Sequence, residues 1–158
     1  MSDPLMEIPE PARSELFALS TTIMPPARQL LENNHAIFPF GIELRADGSS
    51  GVLMTGLTEE EEQDPAASRE LLRELVRRKA AEGTVRAAAI AFDTRTLQAE
   101  ADVALDAVCV SLEHVDGHAL DVFVPFKKGW FGYSYRNIFM LGASCRIFAP
   151  AAAAENGR

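Results

Sequence analysis

At 158 residues the chain is long enough to bury the core of one domain without disulfides or a structural metal. A composition that is 47% hydrophobic and 24% charged is that of a soluble globular protein, and no apolar run approaches the roughly 18 residues that a membrane-spanning helix needs. The net charge of -8 divides into -12 over residues 1–121 (22 acids, 10 bases) and +4 over residues 122–158 (5 bases, 1 acid). This balance argues against general affinity for nucleic-acid backbones, because the few cations of the basic segment do not offset an acidic remainder.

The start, "MSDPLMEIPEPARSEL", lacks a basic stretch followed by an apolar one, so the expected compartment is the cytoplasm. Cys109 and Cys145 then read as reduced, small hydrophobes rather than a disulfide. Residues 1–11 hold Pro4, Pro9 and Pro11 with little apolar pattern and are expected to form a flexible arm. Leu16, Leu19 and Ile23 share one helical stripe, which Pro25-Pro26 should interrupt. A second short helix would begin at Pro26 and end at Asn33 or Asn34, residues that tolerate a left-handed C-terminal position.

From Ala36 the apolar period changes to two. Ala36, Phe38, Phe40, Ile42 and Leu44 face one way, and Pro39 marks the strand as an edge or a bulge. "ADGSSG" turns the chain and "VLMTGL" returns it as a hairpin partner. The acid run "EEEEQD", residues 59–64, reads as a solvated loop whose Asp64 caps the next helix, with Pro65 in the first helical position. That helix reaches about Glu82, with Leu71, Leu72, Leu75, Val76 and Ala80 on one side, and stops at Gly83.

"TVRAAAIAFDTRT" reads as a strand from its β-branched residues and short length. Two more strands, Asp106 to His114 and His118 to Phe126, flank "VDG". A two-residue turn would mix polar and apolar side chains on both faces. A three-residue loop, Val115-Asp116-Gly117 with Gly117 left-handed, instead pairs His114 with His118, Leu112 with Leu120, Val110 with Val122 and Val108 with Val124, giving one clean apolar face. A last strand lies within "NIFMLGASCRIF", and residues 150–158 are an alanine-rich tail expected to fray.

The predicted fold is therefore α+β: one domain over residues 12–149 with a mostly antiparallel sheet of five or six strands, helices on one face, and the order α-α-β-β-α-β-β-β with a possible further strand. In architecture alone this order resembles roadblock and profilin-like modules. No family motif accompanies it, so the resemblance implies no function.

His114 and His118, as cross-strand neighbours, form a geometry that binds a metal if a third ligand such as Asp116 or His35 joins them, or that senses pH. The simpler reading is a solvated hairpin tip. His35 is expected to close a helix end, and Asp93 to make a local turn or ion pair. No nucleophile elbow, dinucleotide fingerprint or phosphate loop occurs in the sequence.

The segment "VFVPFKKGWFGYSYR" remains. Seven of the twelve aromatic residues fall between Phe123 and Phe139, in the one basic part of the chain, beyond what a strand needs for its share of core. The functional expectation is a non-enzymatic module that self-associates or binds a protein partner through Lys127, Lys128, Trp130, Phe131, Tyr133 and Tyr135. Alternatives are a metal-dependent enzyme using His114 and His118, an acidic inhibitor of a basic protein, and a small-ligand site among the aromatic rings. No cofactor, nucleic acid or membrane is expected.

Overall fold

Pro25 and Pro26 lie inside one continuous helix, α1 (Ala12–Asn34), where the sequence predicted two. Neither proline can donate to the carbonyl four residues back, at Thr21 and Thr22. All four residues are exposed, so water reaches those carbonyls, while a buried stripe of Leu16, Leu19, Ile23, Ala27 and Leu31 runs past the prolines and holds the helix together. The helix closes at His35, which takes the left-handed conformation (φ 62°) and donates its backbone N–H to the Leu31 carbonyl at 2.7 Å.

The computed structural model describes residues 3–56, 64–98 and 103–149. The remaining elements are β1 (Phe40–Arg45), β2 (Ser50–Leu53), α2 (Pro65–Ala81), β3 (Val85–Gln98), β4 (Val103–His114), β5 (His118–Gly129), β6 (Gly132–Tyr135) and β7 (Phe139–Gly142). The strands form an antiparallel sheet in the order β2-β1-β3-β4-β5-β6, with β7 also on β5. The fold class is α+β as predicted, with one helix fewer and one or two strands more. The tail after residue 149 and most of the acid run, residues 57–63, lie outside the described residues. Within the proline-rich N-terminal stretch, Ile8 is buried in the core. No helix among the described residues is long and apolar enough to cross a membrane.

The helices do not share a face, which corrects the predicted packing. α1 covers one side of the sheet, against Ile42, Ala87, Ala89, Ala91, Val110 and Val122. The other side lies under α2, through Leu72 and Val76, and under Phe148 of the C-terminal segment. The cause is β3, where every residue from Ala87 to Phe92 is buried: a strand apolar on both faces needs cover on both. Asp64 caps α2 as expected, accepting from the N–H groups of Ala66 and Ala67. The buried face of α2 is set by Ser68, Leu72 and Val76, and Leu71, predicted inside, is exposed. Two buried carboxylates also face this side. Glu43 accepts from Lys79 Nζ of α2 at 2.9 Å, and Glu113 accepts from the backbone N–H groups of Arg146, Ile147 and Phe148.

β1 begins after Pro39 and runs between β2 and β3, so the proline stands at the entrance of an interior strand rather than marking an edge. Opposite its far end β3 carries a bulge: Leu44 pairs with Ala87 and Arg45 with Val85, leaving Arg86 unpaired. The bulge re-aims Arg86 toward α1 and returns Val85 to the α2 face.

Candidate functional site

The two places that the sequence singled out sit at opposite ends of β5. At its start, the β4–β5 hairpin has the predicted three-residue loop: His114 pairs with His118, Leu112 with Leu120, Val110 with Val122 and Val108 with Val124. Gly117 takes φ 94° and donates its N–H to the His114 carbonyl at 2.9 Å.

The predicted cross-strand histidine pair therefore exists, but His114 is 2% exposed and both of its ring nitrogens are engaged. Nδ1 accepts the N–H of Asp116 at 3.1 Å, which puts the ring hydrogen on Nε2, where it is donated to Glu15 Oε1 at 2.7 Å. A metal would need the Nδ1 lone pair that the loop backbone holds or the Nε2 position that Glu15 holds. Among the described residues no three His, Cys, Asp or Glu side chains are grouped to hold an ion. Glu15 also receives Arg86 through a two-pronged contact, Nη2 to Oε2 at 2.6 Å and Nε to Oε1 at 3.2 Å. Burial pushes the Glu15 carboxyl up, but hydrogen bonds from Arg86 and His114 outweigh it and hold the group below its ordinary value. Sequence reasoning missed Glu15 and Arg86. The available signals were an acid four residues before Leu19, on the edge of the apolar stripe, and a cation directly before the apolar run Ala87 to Phe92.

At the other end of β5 the chain turns through Trp130-Phe131 into β6. Gly129 pairs with Gly132, Lys128 with Tyr133, Lys127 with Ser134 and Phe126 with Tyr135. The sequence predicted no regular strand for 132–135, yet the tyrosines alternate and both reach α1. The Tyr133 hydroxyl is hydrogen-bonded to His35 Nδ1 at 2.7 Å, with Lys128 Nζ 3.4 Å from the same atom. Tyr135 donates to Glu32 Oε2 at 2.6 Å beneath the guanidinium of Arg28, 4.5 Å from the ring centre. Burial, and then Glu32, push the Tyr135 hydroxyl's pKa up.

Trp130 and Phe131 have no such partners. They are 99% and 105% exposed, on a two-residue turn between glycines. Neither takes a positive φ, and the hairpin relaxes instead at Gly132, φ 122°. Of the six residues predicted to form an interaction surface, Lys127, Lys128, Trp130 and Phe131 are exposed while Tyr133 and Tyr135 are half-buried supports.

A second apolar feature escaped the sequence reading. α1 lies over β3 and β4 and reaches β1, but β2 at the sheet edge lies beyond it. Val52 and Met54 on that side are 69% and 68% exposed, and with Phe38, Phe40 and Leu30 they line a groove of about 250 Å³. Phe38, predicted to continue the core face of β1, stands at its rim. Both cysteines are free, and burial pushes the Cys109 thiol up to about 12, which leaves it inert as a nucleophile. Comparison of the chain with protein-family models, curated proteins and solved structures finds no match.

Proposed function

We propose that the protein is a non-enzymatic interaction module that docks onto a protein surface, a second copy of itself foremost, through the tip of the β5–β6 hairpin. The observation that carries this reading is the full exposure of Trp130 and Phe131 side by side on a turn braced by Tyr133 and Tyr135. Aromatic side chains of this size, left in water by the fold, keep their apolar area for a partner, and they are the residue types that dominate binding hot spots. Lys127 and Lys128 beside them, on a chain of net charge -8, favour an acidic partner surface, and a second copy presents one.

Light scattering with parallel thermal melts tests the proposal. The wild type is expected to show a mass above the 17.2 kDa monomer at tens of micromolar, whereas Trp130→Ala combined with Lys128→Glu stays monomeric and melts at the same temperature. A double variant that associates like the wild type would remove the tip from the interface.

A further inference from the structure

We infer that the acceptor for the Trp130-Phe131 tip is the groove between α1 and β2 on a second copy of the chain, so that tip and groove form one interface. The inference rests on the tip being an interaction surface and adds its partner.

Three observations choose the occupant. The groove's volume, about 250 Å³, falls below the ~300–1,000 Å³ of usual small-molecule sites and suits one or two protein side chains. Its lining carries no charged group, so it has little with which to orient a metabolite, while Val52, Met54 and Phe38 offer apolar contact to an aromatic ring. Charge then favours this chain's own tip. In sequence, Met54 to Asp64 holds five acids and no base, four of them the consecutive glutamates 59–62, the first of which is four residues after the groove-lining Thr55; residues 122–136 hold Lys127, Lys128 and Arg136 and no acid.

Topology places both features at one end of the molecule. The sheet is antiparallel, and with two strands between them β5 ends on the side where β1 begins. The last turns of α1 serve both: Leu30 lines the groove, while Glu32 and His35 hold the hairpin's tyrosines. Two copies related by a two-fold axis can therefore exchange tips, and the contact closes as a dimer.

Trp130 is the sole tryptophan, so its fluorescence reports its own burial. The test uses three full-length proteins: wild type, a tip variant (Trp130→Ser with Phe131→Ser) and a groove variant (Val52→Arg with Met54→Arg), whose added bulk and positive charge oppose a basic tip. Thermal melts check each fold, and Met54→Arg alone replaces the groove pair if that pair unfolds. The wild type is expected to shift its emission to shorter wavelength as concentration rises and its mass doubles. Each variant should weaken self-association by ~30-fold or more, the loss typical of a hot-spot anchor. Adding the tip variant, which has an intact groove and no tryptophan, to the groove variant should restore one of the two tip–groove contacts, so that the groove variant's emission shifts and a heterodimer forms, more weakly than the wild-type dimer but more tightly than either variant alone.

Self-association that survives the groove variant but not the tip variant would overturn the groove as acceptor and leave the tip reading intact. Self-association that survives both would overturn the two together. A wild type still monomeric at roughly 100 µM would overturn a second copy as the occupant. If that monomer's emission shifts on phosphatidylserine-containing vesicles, the tip belongs to a lipid surface instead.

Discussion

The two turns that bound β5 were both candidate sites in the sequence, and the structure treats them in opposite ways. At the β4–β5 end, His114 is sealed against α1, with one nitrogen bonded to Glu15 and the other to the backbone of its own loop. At the β5–β6 end, Trp130 and Phe131 are fully exposed. The difference separates two kinds of conspicuous residue. A buried polar side chain whose bonding capacity is filled serves the fold, because a ligand would first have to displace an internal partner. An apolar side chain left in water on a rigid support has its contact surface still unused.

If the histidine end is structural, damage there should appear as lost stability. His114→Ala is expected to destabilise the fold by about 2–4 kcal/mol, since it opens a cavity and strips a hydrogen bond from the Glu15–Arg86 pair. Urea melts measure this, and a loss below about 0.5 kcal/mol, typical of a surface change, would return the histidine to the list of functional residues.

The pH dependence sharpens the same point. The folded Glu15 carboxyl titrates below its ordinary 4.5, so its contribution to stability is complete above that value and is lost as the pH falls through the lower folded value. The wild type should therefore be more stable than Glu15→Gln at pH 7, with the gap closing in melts below pH 4.5. A gap that stays constant down to low pH would mean that the Glu15 charge plays no part.

Much of this arrangement was legible in the sequence. The β4–β5 register followed from the alternation of Val108, Val110 and Leu112 against Leu120, Val122 and Val124, since a one-residue slip would have turned half of them to the wrong face. The Asp64 cap followed from local chemistry. The helices' placement on opposite faces was also available, in the unbroken apolar run Ala87 to Phe92, because a strand apolar on both faces needs cover on both. The continuity of α1 was not available: prolines lower local helix propensity, and only tertiary packing of Leu16 through Leu31 overrides it. Nor could composition divide the aromatic segment into props and tip. That division depends on where α1 ends relative to β6, as the groove depends on α1 stopping short of β2. Both are distances between elements remote in sequence.

The hairpin's own two zones give the smaller effects. Tyr135→Phe deletes the hydroxyl that donates to Glu32 and is expected to cost about 0.5–1.5 kcal/mol, read as a lowered urea midpoint. Trp130→Ala, five residues earlier and the larger truncation, should change folding stability by less than about 0.5 kcal/mol, because a side chain 99% exposed is as hydrated in the native state as in the unfolded one. Comparison at a dilution where the protein is monomeric isolates this term, since association would add apparent stability to the wild type alone. Protein concentration then becomes the decisive variable. At low concentration the two melts should superimpose, and as it rises the wild-type midpoint should climb while that of Trp130→Ala stays fixed. A Trp130→Ala protein that melts early even when dilute would place the indole in the core in solution, and the open end of β5 would then be as closed as the other.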